Sequence, residues 1–213
     1  MSTSFKIYPK TNRIPALKEI IESTQYEFWK YFEKVDIKDR PIIKIRLLRK
    51  ENDEDIEFLP EELFSWEDDS YLWVQVEGIK GGTDGYFWYA EEIDYKYWNE
   101  DIIPMPRCKP IKDLLNECIA QGHYWHFSRS VGQSALVRIL YGILSGVLAR
   151  MTSGIVFSDD SAWEYERMPM RGEDFLECYM IPEKELSVDA KEWSRLCIQA
   201  AKDELRASAF YQV

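Results

Sequence analysis

From Gly132 to Ser153 the chain carries Leu136, Ile139, Leu140, Ile143, Leu144, Val147, Leu148 and Met151 at helical spacing, and these positions cover more than one face of the helix they predict. A helix with a single apolar stripe can lie on a surface, but one that is apolar around its circumference has to be surrounded. The rest of the chain must therefore be built around it. Arg138 and Arg150 lie only 12 positions apart, so the apolar stretch between them is too short to span a bilayer. Gly142 and Gly146, on one face of this helix, predict the close approach of a neighbouring element, and Gly154 suits the left-handed residue that would close it.

The surrounding segments mix the two periodicities. Pro15 opens a first amphipathic helix in which Leu17, Ile20, Ile21, Thr24, Phe28, Tyr31, Phe32 and Val35 share a face, ended by the turn at Asp39-Arg-Pro41. Ile42 to Leu48 alternates with Lys44 and Arg46 and predicts a strand. Tyr71–Val76 and Tyr86–Ala90 predict two aromatic strands, joined by a turn-rich link too long for a two-residue hairpin. Pro104, Pro106 and Pro110 predict extended chain, the one place where a division of the chain could fall. A helix from about Ile111 to Ala120 follows. Ile155–Phe157 predicts a short strand, Ala162–Tyr165 is compatible with a returning one, and Phe175, Leu176 and Tyr179 mark a short helix. Asp189 can cap a last helix that carries Trp193, Leu196, Cys197, Ala200 and Leu205. The expected fold class is α+β: a single domain with an antiparallel sheet of aromatic strands packed against several helices, one of them central and apolar.

Charge is distributed unevenly over these elements. Residues 51–101 hold 17 of the 38 acidic side chains and 12 of the 31 aromatics, with only Lys80 and Lys96 as bases. The window therefore carries −15, while the remaining 25 bases and 21 acids leave +4. Carboxylates interleaved with aromatic rings suit the face of a protein that binds a basic partner, the charges steering and the rings anchoring. The residues expected to form that face are Trp66, Glu67, Asp68, Asp69, Trp73, Asp84, Tyr86, Trp88, Glu91 and Glu92. The competing explanation is a solvated polar surface over an aromatic core face. A net charge of −11 argues against nucleic acid and against an anionic membrane as partners. The first residues lack the apolar core of a signal peptide, and the expectation is a cytoplasmic protein. Cys108, Cys118, Cys178 and Cys197 are scattered without metal-ligand spacing, which predicts reduced, partly buried thiols and neither metal nor cofactor.

A hydrolase or transferase is the alternative, with His126, Arg129, Asp159, Asp160 and Glu164 converging in the C-terminal half. His123 and His126 are three residues apart: on a helix they could share one ligand, whereas on a strand their rings would point to opposite faces. Ser158-Asp-Asp-Ser161 has the composition of a turn whose side chains bond nearby backbone. The Gly81-Gly-Thr-Asp-Gly85 link lacks the lysine of a phosphate cradle, and its acids would repel the anion.

The pattern Thr152-x-Gly154-x-x-x-Ser158-x-Asp160-x-Ala-Trp163, after a helix with small residues and before Phe175-Leu-Glu-Cys-Tyr179, resembles one found in small bacterial proteins of unknown function. In size, acidity and tryptophan content the whole chain is similar to immunity proteins of polymorphic or contact-dependent toxin systems. That resemblance implies an inhibitor that occludes a basic toxin domain of the nuclease type. It implies no particular functional residues, because the folds of such proteins vary widely.

Overall fold

A computed structural model describes residues 2–210. Its strands are β1 (Ser2–Tyr8), β2 (Ile43–Arg49), β3 (Asp55–Ile56), β4 (Ser70–Val76), β5 (Thr83–Tyr89), β6 (His123–Ser130), β7 (Ile155–Phe157) and β8 (Met170–Arg171). They form one sheet in the order β3-β2-β4-β5-β6-β1-β7-β8, with every neighbouring pair antiparallel. The helices are α1 (Leu17–Lys34), α2 (Glu92–Tyr97), α3 (Lys112–Ile119), α4 (Ala135–Met151), α5 (Gly172–Cys178) and α6 (Val188–Phe210). The fold is α+β.

Helix α4 is the buried centre that its composition demands. From Ala135 to Ala149 every residue except Arg138 is buried, and the helix contacts the sheet, α1, α5 and α6. Its first turn is capped twice: Ser134 Oγ accepts from Val137 N, and the Glu204 carboxylate of α6 accepts from Ala135 N at 2.7 Å and Leu136 N at 3.0 Å. Gly142 and Gly146 do admit a neighbour: a Cβ at Gly142 would overlap the Tyr179 ring, and one at Gly146 would lie 2.7 Å from Leu176. At the other end the left-handed residue is Ser153 rather than Gly154. Gly154 is needed for a different reason, because a Cβ there would collide with the Tyr8 carbonyl.

The alternation along the strands decides which face meets α4. Ile43, Ile45 and Leu47 of β2 lie opposite Val76, Val74 and Leu72 of β4, and Phe87, Trp125, Phe127, Phe5 and Ile7 continue this inner face. Lys44, Arg46, Tyr71, Trp73, Asp84, Tyr86, Trp88, Tyr124, His126, Lys6 and Tyr8 take the outer face. Segment 92–102 packs on one end of that outer face, where Trp98 sits against Tyr8 and Phe157, both with ring centroids at 4.9 Å.

Several local expectations are corrected. The N-terminal residues form β1, an interior strand of the sheet, where no element was expected. Pro104 to Pro110 is not extended: Pro106–Ile111 is a 3-10 helix that buries Cys108, and the sheet and apolar core continue through this region. Ala162–Tyr165 is no strand; the strand that returns beside β7 is β8. Ser187, not Asp189, caps α6, its Oγ accepting from Ala190 N at 3.0 Å. The acidic window ends in a helix, α2, because the Asp94 carboxylate turns back to accept from Glu91 N at 2.9 Å.

Candidate functional site

The β4–β5 hairpin sets the site. Gly85 lets the two strands pass under Phe127, and the register Trp73 opposite Asp84 brings Tyr71, Trp73, Tyr86 and Trp88 onto one face. These rings occupy the outer, half-exposed face, while the core face of β4 is aliphatic. The competing explanation, a polar surface over an aromatic core face, is thus reversed for these four rings. Tyr86 stacks on Trp88 at 5.6 Å, and Trp88 meets His126 edge-on at 4.7 Å. Asp84 lies half-buried among them, and burial together with the charge of Asp53 raises its pKa.

Two adjoining clefts open at the end of β5. The larger, of about 560 Å³, is lined by Lys50, Asp68, Trp88, Tyr89, Glu91, Ile93, Asp94 and Tyr124. The smaller, of about 110 Å³, is lined by Ser65, Trp66, Glu67, Asp68, Phe87 and Tyr89. They meet at Asp68 and Tyr89. Tyr89 is 74% exposed and Ile93 72%, so two apolar side chains stand clear of the surface among Glu67, Asp68, Glu91, Glu92 and Asp94. The one base lining the clefts is Lys50, which sits 5.2 Å above the Tyr86 ring. Apolar anchors within a rim of like charge are what a complementary, cationic surface would meet.

Of the ten residues expected at the site, Trp66, Glu67, Asp68, Trp88 and Glu91 line these clefts, and Glu92 is exposed beside them at the start of α2. Trp73, Asp84 and Tyr86 lie further along the outer face. Two of the ten take other roles. Trp66 is 8% exposed and packs with Phe58, Phe64 and Phe87, so only its edge reaches the smaller cleft. Asp69 is paired with Arg49 at 3.1 Å. Strand β2 neutralises more of the window: Lys44 binds Glu77 at 2.6 Å, and Arg46 holds Asp55 through two bonds of 2.7 and 2.8 Å. Of the 14 acids of the window that β2 does not pair, Glu67, Asp68, Glu91, Glu92 and Asp94 surround the clefts. Tyr89, Ile93, Asp94 and Tyr124 were not anticipated as site residues, although Tyr89 closes an aromatic run directly before Glu91 and Glu92.

The residues of the enzyme alternative come together only in part. β6 is a strand, so His123 and His126 point to opposite faces. His126 faces Lys6 across the β1–β6 pair, and Lys6 Nζ donates to Asp159 at 3.2 Å. Asp160 accepts from Ser4 Oγ at 2.6 Å and Ser158 Oγ at 3.0 Å, so the 158–161 turn is tied to β1. Burial, reinforced by Lys6, pushes the His126 pKa down to about 4. Arg129 has the opposite parity and lies over the Tyr141 ring at 5.4 Å, and Glu164 pairs with Arg167 at 2.6 Å. Neither joins His126. The four cysteines are buried and unbridged, with pKa values raised by burial, and among the described residues no three His, Cys, Asp or Glu side chains are grouped to hold a metal ion. No helix of the described residues is long and apolar enough to cross a membrane. Comparison with protein-family models, with curated proteins and with solved structures finds no match.

Proposed function

We propose that this is a cytoplasmic binding protein that receives a basic protein partner on the acidic, aromatic end of its sheet. The observation that carries the reading is the pair of clefts at the end of β5, where exposed Tyr89 and Ile93 stand among five carboxylates in and beside the linings. The carboxylates accelerate encounter with a cationic surface, and the apolar groups hold the complex once it has formed. Neutralising a toxin domain by covering its basic substrate-binding surface is the role this arrangement suits, in keeping with the charge and tryptophan content of the chain.

The test is stopped-flow binding to the protein encoded by the adjacent gene. Asp68→Lys with Glu91→Lys should slow association about tenfold or more while changing dissociation little. Tyr89→Ala should speed dissociation about tenfold, the effect of losing one central anchor. Association that is indifferent to both charge reversal and salt would refute the proposal, as would turnover of a substrate that depends on His126 and needs no partner.

A further inference from the structure

Four of the eleven large apolar side chains exposed on the described surface fall between residues 186 and 196: Leu186 (59%), Val188 (77%), Trp193 (51%) and Leu196 (59%). Trp193 and Leu196 begin a stripe on the solvent side of α6 that Ala200 and Ala207, also exposed, continue, with Asp203 on the same face between the two alanines. The opposite side of α6, with Ser194, Cys197, Ile198, Ala201 and Leu205, is buried, and Glu204 fastens the helix to the start of α4. Arg138 of α4 lies over the Trp193 ring at 4.4 Å, and the rest of the stripe is exposed among the described residues.

Its flank identifies what fits it. Glu192, Arg195, Gln199, Asp203 and Arg206 follow one another at spacings of three and four and read minus, plus, neutral, minus, plus. Reversed, the series reads plus, minus, neutral, plus, minus, so the stripe is complementary to itself when two copies run antiparallel. With Gln199 near the two-fold axis, Glu192 meets Arg206 of the other copy and Arg195 meets Asp203. The exposed Leu196 then comes against the small Ala200, where close helix approach is allowed. Residues 188–208 contain four acids and four bases, a neutral strip on a protein of net charge −11. A basic partner would be drawn to the acidic clefts, whereas a second copy, equally acidic in its body, meets the strip charge for charge and pairs only weakly.

We infer that α6 is a self-association surface through which two copies of this chain pair antiparallel about Gln199. The apolar stripe supplies the affinity and the exposed charges set the register, since each such pair contributes little and Asp203 already bonds Gln199 and Arg206 in its own helix. A single helix pair falls below the roughly 800 Å² per partner of a standard interface, so the dimer forms with concentration and dissociates on dilution.

Sedimentation equilibrium of the full chain, from low-micromolar to near-millimolar concentration, tests the inference. The mass should rise from 25.3 kDa toward twice that value. Leu196→Lys, at an exposed position, should hold the chain monomeric. Arg206→Glu sets like charges opposite each other twice per dimer and should weaken pairing about five- to tenfold, and adding Glu192→Arg to it should restore the affinity. A chain that is monomeric throughout overturns the inference, as does a dimer that Leu196→Lys leaves intact or a double variant that pairs no better than Arg206→Glu alone.

Discussion

Leu144 is 0% exposed on a helix enclosed by the sheet, α1 and α5, which makes its truncation the sharpest test of the architecture. Leu144→Ala removes three carbons from a dry interior, about 2.4 kcal/mol at roughly 0.8 kcal/mol each. The void adds to this, because a helix packed on several sides cannot collapse into the gap, and measured leucine truncations span about 2–5 kcal/mol. The expected loss is about 3–4 kcal/mol, or roughly 10 °C in Tm for a chain of this size. Urea unfolding followed by far-UV circular dichroism would measure it, with the midpoint falling and the slope m unchanged. Leu196→Ala, at an exposed position on α6, is the control and should change stability by no more than about 0.5 kcal/mol. Losses below about 1 kcal/mol at both Leu140 and Leu144 would place α4 at the surface and refute the packing argument.

Three further outcomes follow from particular contacts. Gly142→Ala should cost about 1–3 kcal/mol despite alanine's better helix propensity, since Tyr179 is buried and held through its hydroxyl to Arg138 O; a gain in unfolding free energy would contradict this. Burial alone would raise the Glu27 pKa, but Arg150 at 2.7 Å and Lys30 outweigh it and hold the carboxyl below 4.5. Its stabilising contribution is thus present above about pH 4.5 and lost as the pH falls through the lower folded value, so Glu27→Gln should cost about 1–3 kcal/mol at pH 7 and less in acid; an equal loss at pH 7 and pH 3 would count against the ion pair. His126, with a folded pKa of about 4 against the ordinary 6.5, favours the fold fully above about pH 6.5 and progressively less as the pH falls toward 4; its imidazole NMR resonances should stay at their neutral positions down to pH 5, and a midpoint near 6.5 would show an open site.

Elements with a long, consistent period could be read from the residues alone. Helices α1 and α4, strands β2 and β4, and the long-linked β4–β5 hairpin all declare themselves by spacing, because each buries one face or all faces against a single core. Strand β1 was hidden because only Phe5 and Ile7 mark its inner face, and its interior position arises from pairing with β6, whose residues lie 118 to 128 positions away. The prolines at 104, 106 and 110 restrict the chain equally in extended and 3-10 geometry, so composition could not choose between them. In the site, the acids and rings were visible as a cluster, but their roles were not. That Asp55, Asp69 and Glu77 are answered by Arg46, Arg49 and Lys44 depends on the β2 register, and that Tyr89 rather than Trp66 protrudes depends on where the sheet ends.

The central claim is that cationic protein surface docks at the end of β5, and the most direct measurement is an amide NMR map of the protein titrated with an arginine- and lysine-rich peptide. The account predicts that the shifts concentrate at residues 65–69, 88–94 and 124, and that Tyr89→Ala weakens binding although it leaves every charge in place. Shifts spread evenly over the acidic surface, or affinity unchanged by Tyr89→Ala, would contradict it.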